Sequence, residues 1–171
     1  MGCRCSKATQ VNEHGPTDTL ASDLVQHFFV QDINEHFKFH EQLGKGAFGF
    51  VTRATNLKTS KNWAIKIVDL SNAVDKDALR NEINMLKRLQ HPNIVRVVSS
   101  YEDNERMYMV MQLCTGRELF DHLYKEKKAF SEKEVAGLIR NLLRAVAYLH
   151  ANQITHRDMK LENLLLENDS E

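Results

Sequence analysis

The chain has 171 residues, 42% of them hydrophobic, with 23 Lys and Arg balanced by 23 Asp and Glu. That length suits one ordinary domain or two small lobes, and zero net charge excludes a global field that would draw the molecule to nucleic acid or an acidic membrane. Three cysteines, two crowded at Cys3 and Cys5 and one alone at Cys114, make no disulfide framework.

The first residues, MGCRCSK, fit the pattern M-G-x-x-x-[ST]: removal of Met1 exposes Gly2, and Ser6 stands in the required place. One myristoyl chain holds a membrane only marginally, so palmitoylation of Cys3 and Cys5, helped by Arg4 and Lys7, completes a coherent anchor. The plain alternative is a flexible tail that matches a short pattern by chance. There is no secretory apolar core and no run of about 18 or more apolar residues. The expectation is therefore a cytoplasmic protein held peripherally on a membrane through its acyl chains. From Ala8 to about Ser22 the chain is polar and aperiodic, and residues 1–38 are assigned to the acylation motif and a flexible tether.

The stretch FKFHEQLGKGAFGFVTRATNLKTSKNWAIKIVDL alternates apolar and polar residues and predicts three antiparallel strands. Within it Gly44, Gly46 and Gly49 have G-x-G-x-x-G-x-V spacing, which lets backbone amides approach phosphate oxygens and permits a tight hairpin. A dinucleotide-binding fold needs a helix directly after the third glycine, whereas Phe50 and Val51 continue a strand. In WAIK, alternation points Ala64 and Lys66 to one face, and a lysine aimed inward needs an anion. A helix predicted over about residues 75–89 offers one. Its apolar stripe is Leu79, Ile83, Leu86 and Leu89, with Glu82 in the middle, and a Lys66–Glu82 ion pair resolves both charges.

HPNIVRVVSSYEDNERMYMVMQLC returns to strand patterning, with EDNE as the turn. A short helix near residues 118–125 follows, then a long one over 131–151, opened by a capping box of Ser131 and Glu134. The apolar positions of the long helix, Val135 through Leu149, span roughly 200° at 100° per residue, about twice what a surface helix needs. It therefore requires cover on more than one side. There is no internal repeat.

Further on, His156, Arg157, Asp158 and Asn163 satisfy H-R-D-x-x-x-x-N. With the glycine hairpin, Lys66 and Glu82, these residues resemble a eukaryotic serine/threonine protein kinase. TGRELFDHL, HPNIV and the N-terminal motif narrow the resemblance to the calcium-dependent protein kinases of the calmodulin-kinase-like group, from about Phe39 to Leu166. It implies an α+β, protein kinase-like fold: an antiparallel sheet plus one helix as N-lobe and hinge over 39–115, and a partial helical C-lobe over 116–171. ATP and Mg²⁺ are the implied cofactors. Leu43, Gly44, Lys45, Gly46, Ala47, Phe48, Gly49 and Val51 would cover the nucleotide, with Ala64, the gatekeeper Met111, the hinge from Gln112 to Cys114, and Glu118 completing its surroundings. Lys66, fixed by Glu82, would hold the α and β phosphates. Asp158 would accept the substrate hydroxyl's proton and Asn163 would ligate Mg²⁺. Lys160 would neutralise charge on the transferring group, and it marks serine/threonine rather than tyrosine kinases. Protein substrates with Ser or Thr near basic residues are implied.

Arg117, Met159 and Leu161 depart from the family pattern, which has glycine, leucine and proline there. The sequence stops before a D-F-G motif and contains no EF-hand loop, so a calcium sensor domain is not expected in this chain. The expectation is a kinase's N-terminal part, itself poor at phosphoryl transfer. The alternative is an inactive, membrane-tethered module that binds nucleotide or a partner.

Overall fold

The computed structural model of the chain describes residues 3–5, 26–46, 49–71, 76–116, 118–124 and 129–166. In chain order the strands are β1 (Cys3–Cys5), β2 (His27–Phe29), β3 (Phe37–Gly46), β4 (Gly49–Asn56), β5 (Asn62–Asp69), β6 (Val97–Glu102), β7 (Arg106–Met111) and β8 (Leu164–Leu166). The helices are α1 (Lys76–Lys87), α2 (Leu119–Tyr124) and α3 (Glu132–Ala151), with short 3₁₀ turns at Ile33–Glu35 and Leu161–Asn163. Two compact units result: one comprises Leu24–Gln90 and Arg96–Leu113, the other the rest of the described chain.

The first unit is built on a six-stranded sheet in the order β2-β6-β7-β5-β4-β3. The predicted antiparallel strands are present as β3, β4 and β5, joined to β7 and β6 by antiparallel pairing. Period-two alternation sends Ala54, Ile65, Ile67, Tyr108 and Val110 to one face, where they form a core with Ile33 and Phe37. Full burial of side chains such as Ile65 and Phe37 stabilises by about 1.5–3 kcal/mol each.

Two boundaries differ from expectation. The tether assigned up to residue 38 already contains β2, paired parallel to β6, and the 3₁₀ turn capped by the Asp32 side chain. Phe28 explains the docking: its ring stacks on Tyr101 at 5.0 Å, and backbone bonds Ser100 N to Gln26 O and Val30 N to Glu102 O flank the strand. A three-residue strand with one packed ring carries no legible period. Glu102, read as part of the EDNE turn, is the last residue of β6 and 3% exposed. The turn is instead closed by Asp103, whose Oδ1 accepts from Glu105 N and Arg106 N.

In the second unit the capping box forms as expected, with Ser131 N donating to Glu134 Oε2 at 2.9 Å and Glu134 N to Ser131 Oγ at 3.3 Å. After Asn152 the helix ends through Gln153 at φ 59, which lets Ile154 N reach Leu149 O. The His91 ring lies 5.1 Å from Tyr148 of α3, which ties the His91–Val95 segment to this unit. The wide apolar arc of α3 divides: Ala145 and Leu149 are buried, while Val135, Ile139 and Leu143 are 44%, 48% and 60% exposed. β1 pairs parallel to β8, Cys3 opposite Leu164 and Cys5 opposite Leu166. Among the described residues no helix is long and apolar enough to cross a membrane.

Candidate functional site

Sheet register, rather than any loop, assembles the expected nucleotide residues of the first unit. Gly44 opposes Val51, Val51 opposes Lys66, and Lys66 opposes Met109, while Ala64 opposes Met111. Opposed residues share a face, as do alternate residues of one strand. Gly44, Val51, Ala64, Lys66 and Met111 therefore line one face, opposite the Ile65 and Tyr108 core.

The glycines do different work. A Cβ on Gly44 would meet nothing within 4 Å, and one on Gly46 would come no closer than 4.0 Å to Gly49 O. This leaves open backbone of the kind a phosphate cradle needs. Gly49 answers an internal demand: φ is 138°, and a Cβ would sit 1.9 Å from the Ile67 carbonyl oxygen. Lys45 and Leu43 are exposed, whereas Ala47 and Phe48, expected to cover the nucleotide, lie outside the described residues. At the expected hinge Gln112 N donates to Arg96 O at 2.9 Å, so that amide is already bonded. The first unit ends at Leu113, so Cys114, half-buried, belongs to the second.

The expected Lys66–Glu82 pair is not formed. Glu82 is exposed, Lys66 is half-buried, and no ion pair joins them among the described residues. Ile83 and Leu86 are buried as predicted, but the buried side of α1 also takes in Lys87, 6% exposed, with Leu79 and Arg80 half-buried. This moves the centre of the buried arc to about 100° from Glu82. On that side Arg80 Nε donates to Glu102 Oε2 at 3.0 Å. Sequence reasoning missed this acid because it placed Glu102 in a turn. No local signal marked it, because VVSSYE does not alternate and its pairing shifts register between Val97 and Ser99.

The residues expected to be catalytic in the second unit, Asp158 and Lys160, are brought together with Asn163. Ile154 is buried and anchors a loop in which Arg157 has φ 63, a left-handed conformation that costs a non-glycine residue about 1–3 kcal/mol. Beyond it, Asn163 Nδ2 donates to the Asp158 carbonyl at 2.7 Å and to Asp158 Oδ2 at 2.9 Å. Lys160 Nζ lies 3.3 Å from the same oxygen. The Asn163 bond, then the Lys160 cation, hold the Asp158 carboxyl below its usual range, so it is ionised at neutral pH. With its nitrogen committed, Asn163 keeps its amide oxygen as an acceptor. Glu118 bridges to Leu165 in antiparallel fashion beside this loop. Arg117 and Gly2 lie outside the described residues, and of Cys3 and Cys5 only the backbone is described.

Comparison with known proteins gives the family. The protein kinase domain family matches residues 37–171. Calcium-dependent protein kinase 5 of Plasmodium berghei is 40% identical over 154 residues, covering 88% of this chain and 27% of that protein. The human calcium/calmodulin-dependent protein kinase type IV is 38% identical over 168 residues, covering 95% and 34%. A solved twitchin kinase fragment from C. elegans superposes with a TM-score of 0.74 at 30% identity, over 89% of this chain and 34% of that one. The chain thus spans about a quarter to a third of these relatives' lengths. With that match, and with relatives named as calcium- and calmodulin-dependent kinases, the chain belongs to the protein kinase domain family.

Proposed function

We propose that this chain supplies the nucleotide-holding sheet and catalytic loop of an ATP-dependent serine/threonine protein kinase. The observation that carries the reading is the ionised Asp158 carboxylate, pinned by Asn163 and flanked by Lys160, in a chain whose relatives are protein kinases. In the reaction the substrate hydroxyl oxygen bonds to the γ phosphorus while the β–γ bridging P–O bond breaks and ADP leaves. Asp158 orients the hydroxyl and takes its proton. Its low pKa makes it a weak base, so the proton moves as the new bond makes it acidic. Lys160 and Lys66 supply positive charge to the phosphates.

Among the described residues no cluster of three or more His, Cys, Asp or Glu stands ready for a metal. The Asn163 amide oxygen is nonetheless a hard donor suited to Mg²⁺, whose shell phosphate and water oxygens usually complete. When bound, Mg-ATP supplies the phosphoryl group and neutralises its charge. The reading extends to protein substrates with Ser or Thr near basic residues. It also extends to a calcium-responsive partner, suggested by the relatives' names.

The exposed Glu82 favours a second reading for the arrangement seen: nucleotide binding without transfer. Binding of a fluorescent ATP analogue to residues 1–171, with and without Mg²⁺, tests the proposal alongside phosphorylation of basic serine peptides. Mg²⁺-dependent binding weakened at least about tenfold by Lys66→Met is expected. A folded chain that binds no nucleotide would overturn both readings, and binding without Asp158-dependent phosphorylation would select the second. The proposal also includes N-myristoylation of Gly2, acylation of Cys3 or Cys5, and a peripheral membrane location. A Gly2→Ala protein that kept its membrane fraction would sink that part.

A further inference from the structure

Of the charged side chains on helix α1, Arg80 meets the sheet and Glu82 does not. Arg80 binds both carboxylate oxygens of the buried Glu102, and its Nη1 also reaches Asp77 Oδ1 at 2.7 Å. His27 of the edge strand β2 closes the other side of Glu102: Nε2 lies 3.3 Å from Oε2, and Nδ1 is 2.7 Å from Ser100 Oγ.

The register puts Glu102 and Lys66 on the same face, because Glu102 opposes Met107, which opposes Val68, two residues along β5 from Lys66. Strand spacing separates these two anchor points by about 12 Å. Arg80 and Glu82 are about 200° apart around the helix, so α1 cannot aim both at the sheet in one orientation. With Arg80 turned to Glu102, Glu82 faces solvent.

We propose that Glu102, flanked by His27, latches Arg80 and thereby sets the roll of α1, making Arg80 and Glu102 the positioning residues that decide whether Glu82 reaches Lys66. The latch joins the segment before the family match, through β2, to the helix that bears Glu82. The importance given to the Lys66–Glu82 pair rests on the kinase reading, whereas the latch itself rests on the contacts.

The test is a cross-link that reports the two residues' approach. In residues 1–171 with Cys3, Cys5 and Cys114 changed to Ser, Lys66→Cys and Glu82→Cys are introduced. The rate of disulfide formation under a mild oxidant is followed by intact mass. The bond needs Cα atoms within about 7 Å, so an outward-facing position 82 should oxidise slowly. Arg80→Met is expected to raise the rate at least about tenfold, and Arg80→Lys, which keeps a cation for Glu102, should restore most of the slow behaviour. Arg80→Met leaves the buried Glu102 carboxylate without its cation, so Arg80→Met with Glu102→Gln, which removes both charges, carries the test if the single variant does not fold. Glu102→Gln tests the latch from the other side. Equal rates in every folded background would overturn the proposal. Nucleotide binding is measured in parallel on the chain with native cysteines. If Lys66→Met leaves it unchanged, the kinase reading fails while the cross-link still decides the latch. If Lys66 matters and the cross-link ignores Arg80, the latch alone fails.

Discussion

Gly49 shows how a motif residue can be required for a reason other than the motif's chemistry. Gly49→Ala forces a Cβ against the Ile67 carbonyl at a backbone angle that L residues rarely adopt. A loss of about 2–4 kcal/mol in urea-unfolding stability is expected, beyond what the φ alone would cost. Gly44→Ala meets open space and should change stability by less than about 1 kcal/mol. Its effect should appear in nucleotide affinity. Asp158 is the opposite case: it is exposed, and among the described residues its carboxylate bonds only groups of its own loop, Asn163 and Lys160. Asp158→Asn should leave the melting midpoint within experimental scatter and lower peptide phosphorylation by about 10²-fold or more, measured in a protein with demonstrable activity. These residues were legible from spacing alone, because chemistry fixes which groups must stand at which separation. Glu82 was legible as a residue but not as a contact, since a helix stripe says which positions are apolar and not how the helix rolls.

At the scale of elements, local signals were reliable where they close within one turn of helix or one hairpin. The Ser131–Glu134 box is one such signal, and Ser131→Ala should cost about 1 kcal/mol, read as a lower unfolding midpoint. Antiparallel β3, β4 and β5 were read correctly because alternation and turn residues are contiguous in the chain. β2 was not, because its pairing partner is β6, more than seventy residues away, and its three residues have no period of their own. Phe28→Ala should loosen this edge, with faster amide exchange at Val30, whose N–H is bonded to Glu102 O.

At the scale of the whole molecule, two properties emerge that single elements do not show. The first is pH response. Burial, chiefly, lowers the His27 pKa from 6.5, and the Arg80 hydrogen bond, chiefly, lowers that of Glu102 from 4.5. In both cases the unfolded chain takes up a proton more readily than the folded one. Stability therefore falls as pH drops below the ordinary histidine value, and falls further below the ordinary glutamate value. The urea midpoint should decrease from about pH 7.5 to about pH 5, and His27→Gln should flatten that part of the profile. The second is association. Phe130, Val135, Ile139, Leu143 and Ala147 line an open apolar groove along α3. Ile139→Glu with Leu143→Lys should shift sedimentation of residues 1–171 toward monomer, whereas the unchanged chain should self-associate at micromolar concentration.

Sequence by itself determined the chemical inventory: the glycine hairpin, Lys66, the Asp158 loop, the helices with their caps and most strands. It could do so because backbone periodicity and motif spacing are local. Only the tertiary structure decided that Arg80 rather than Glu82 meets the sheet, that Glu102 is buried rather than in a turn, and that β2 joins the edge. Those outcomes depend on which distant charge offers the better partner once desolvation is counted, a competition that no local pattern encodes.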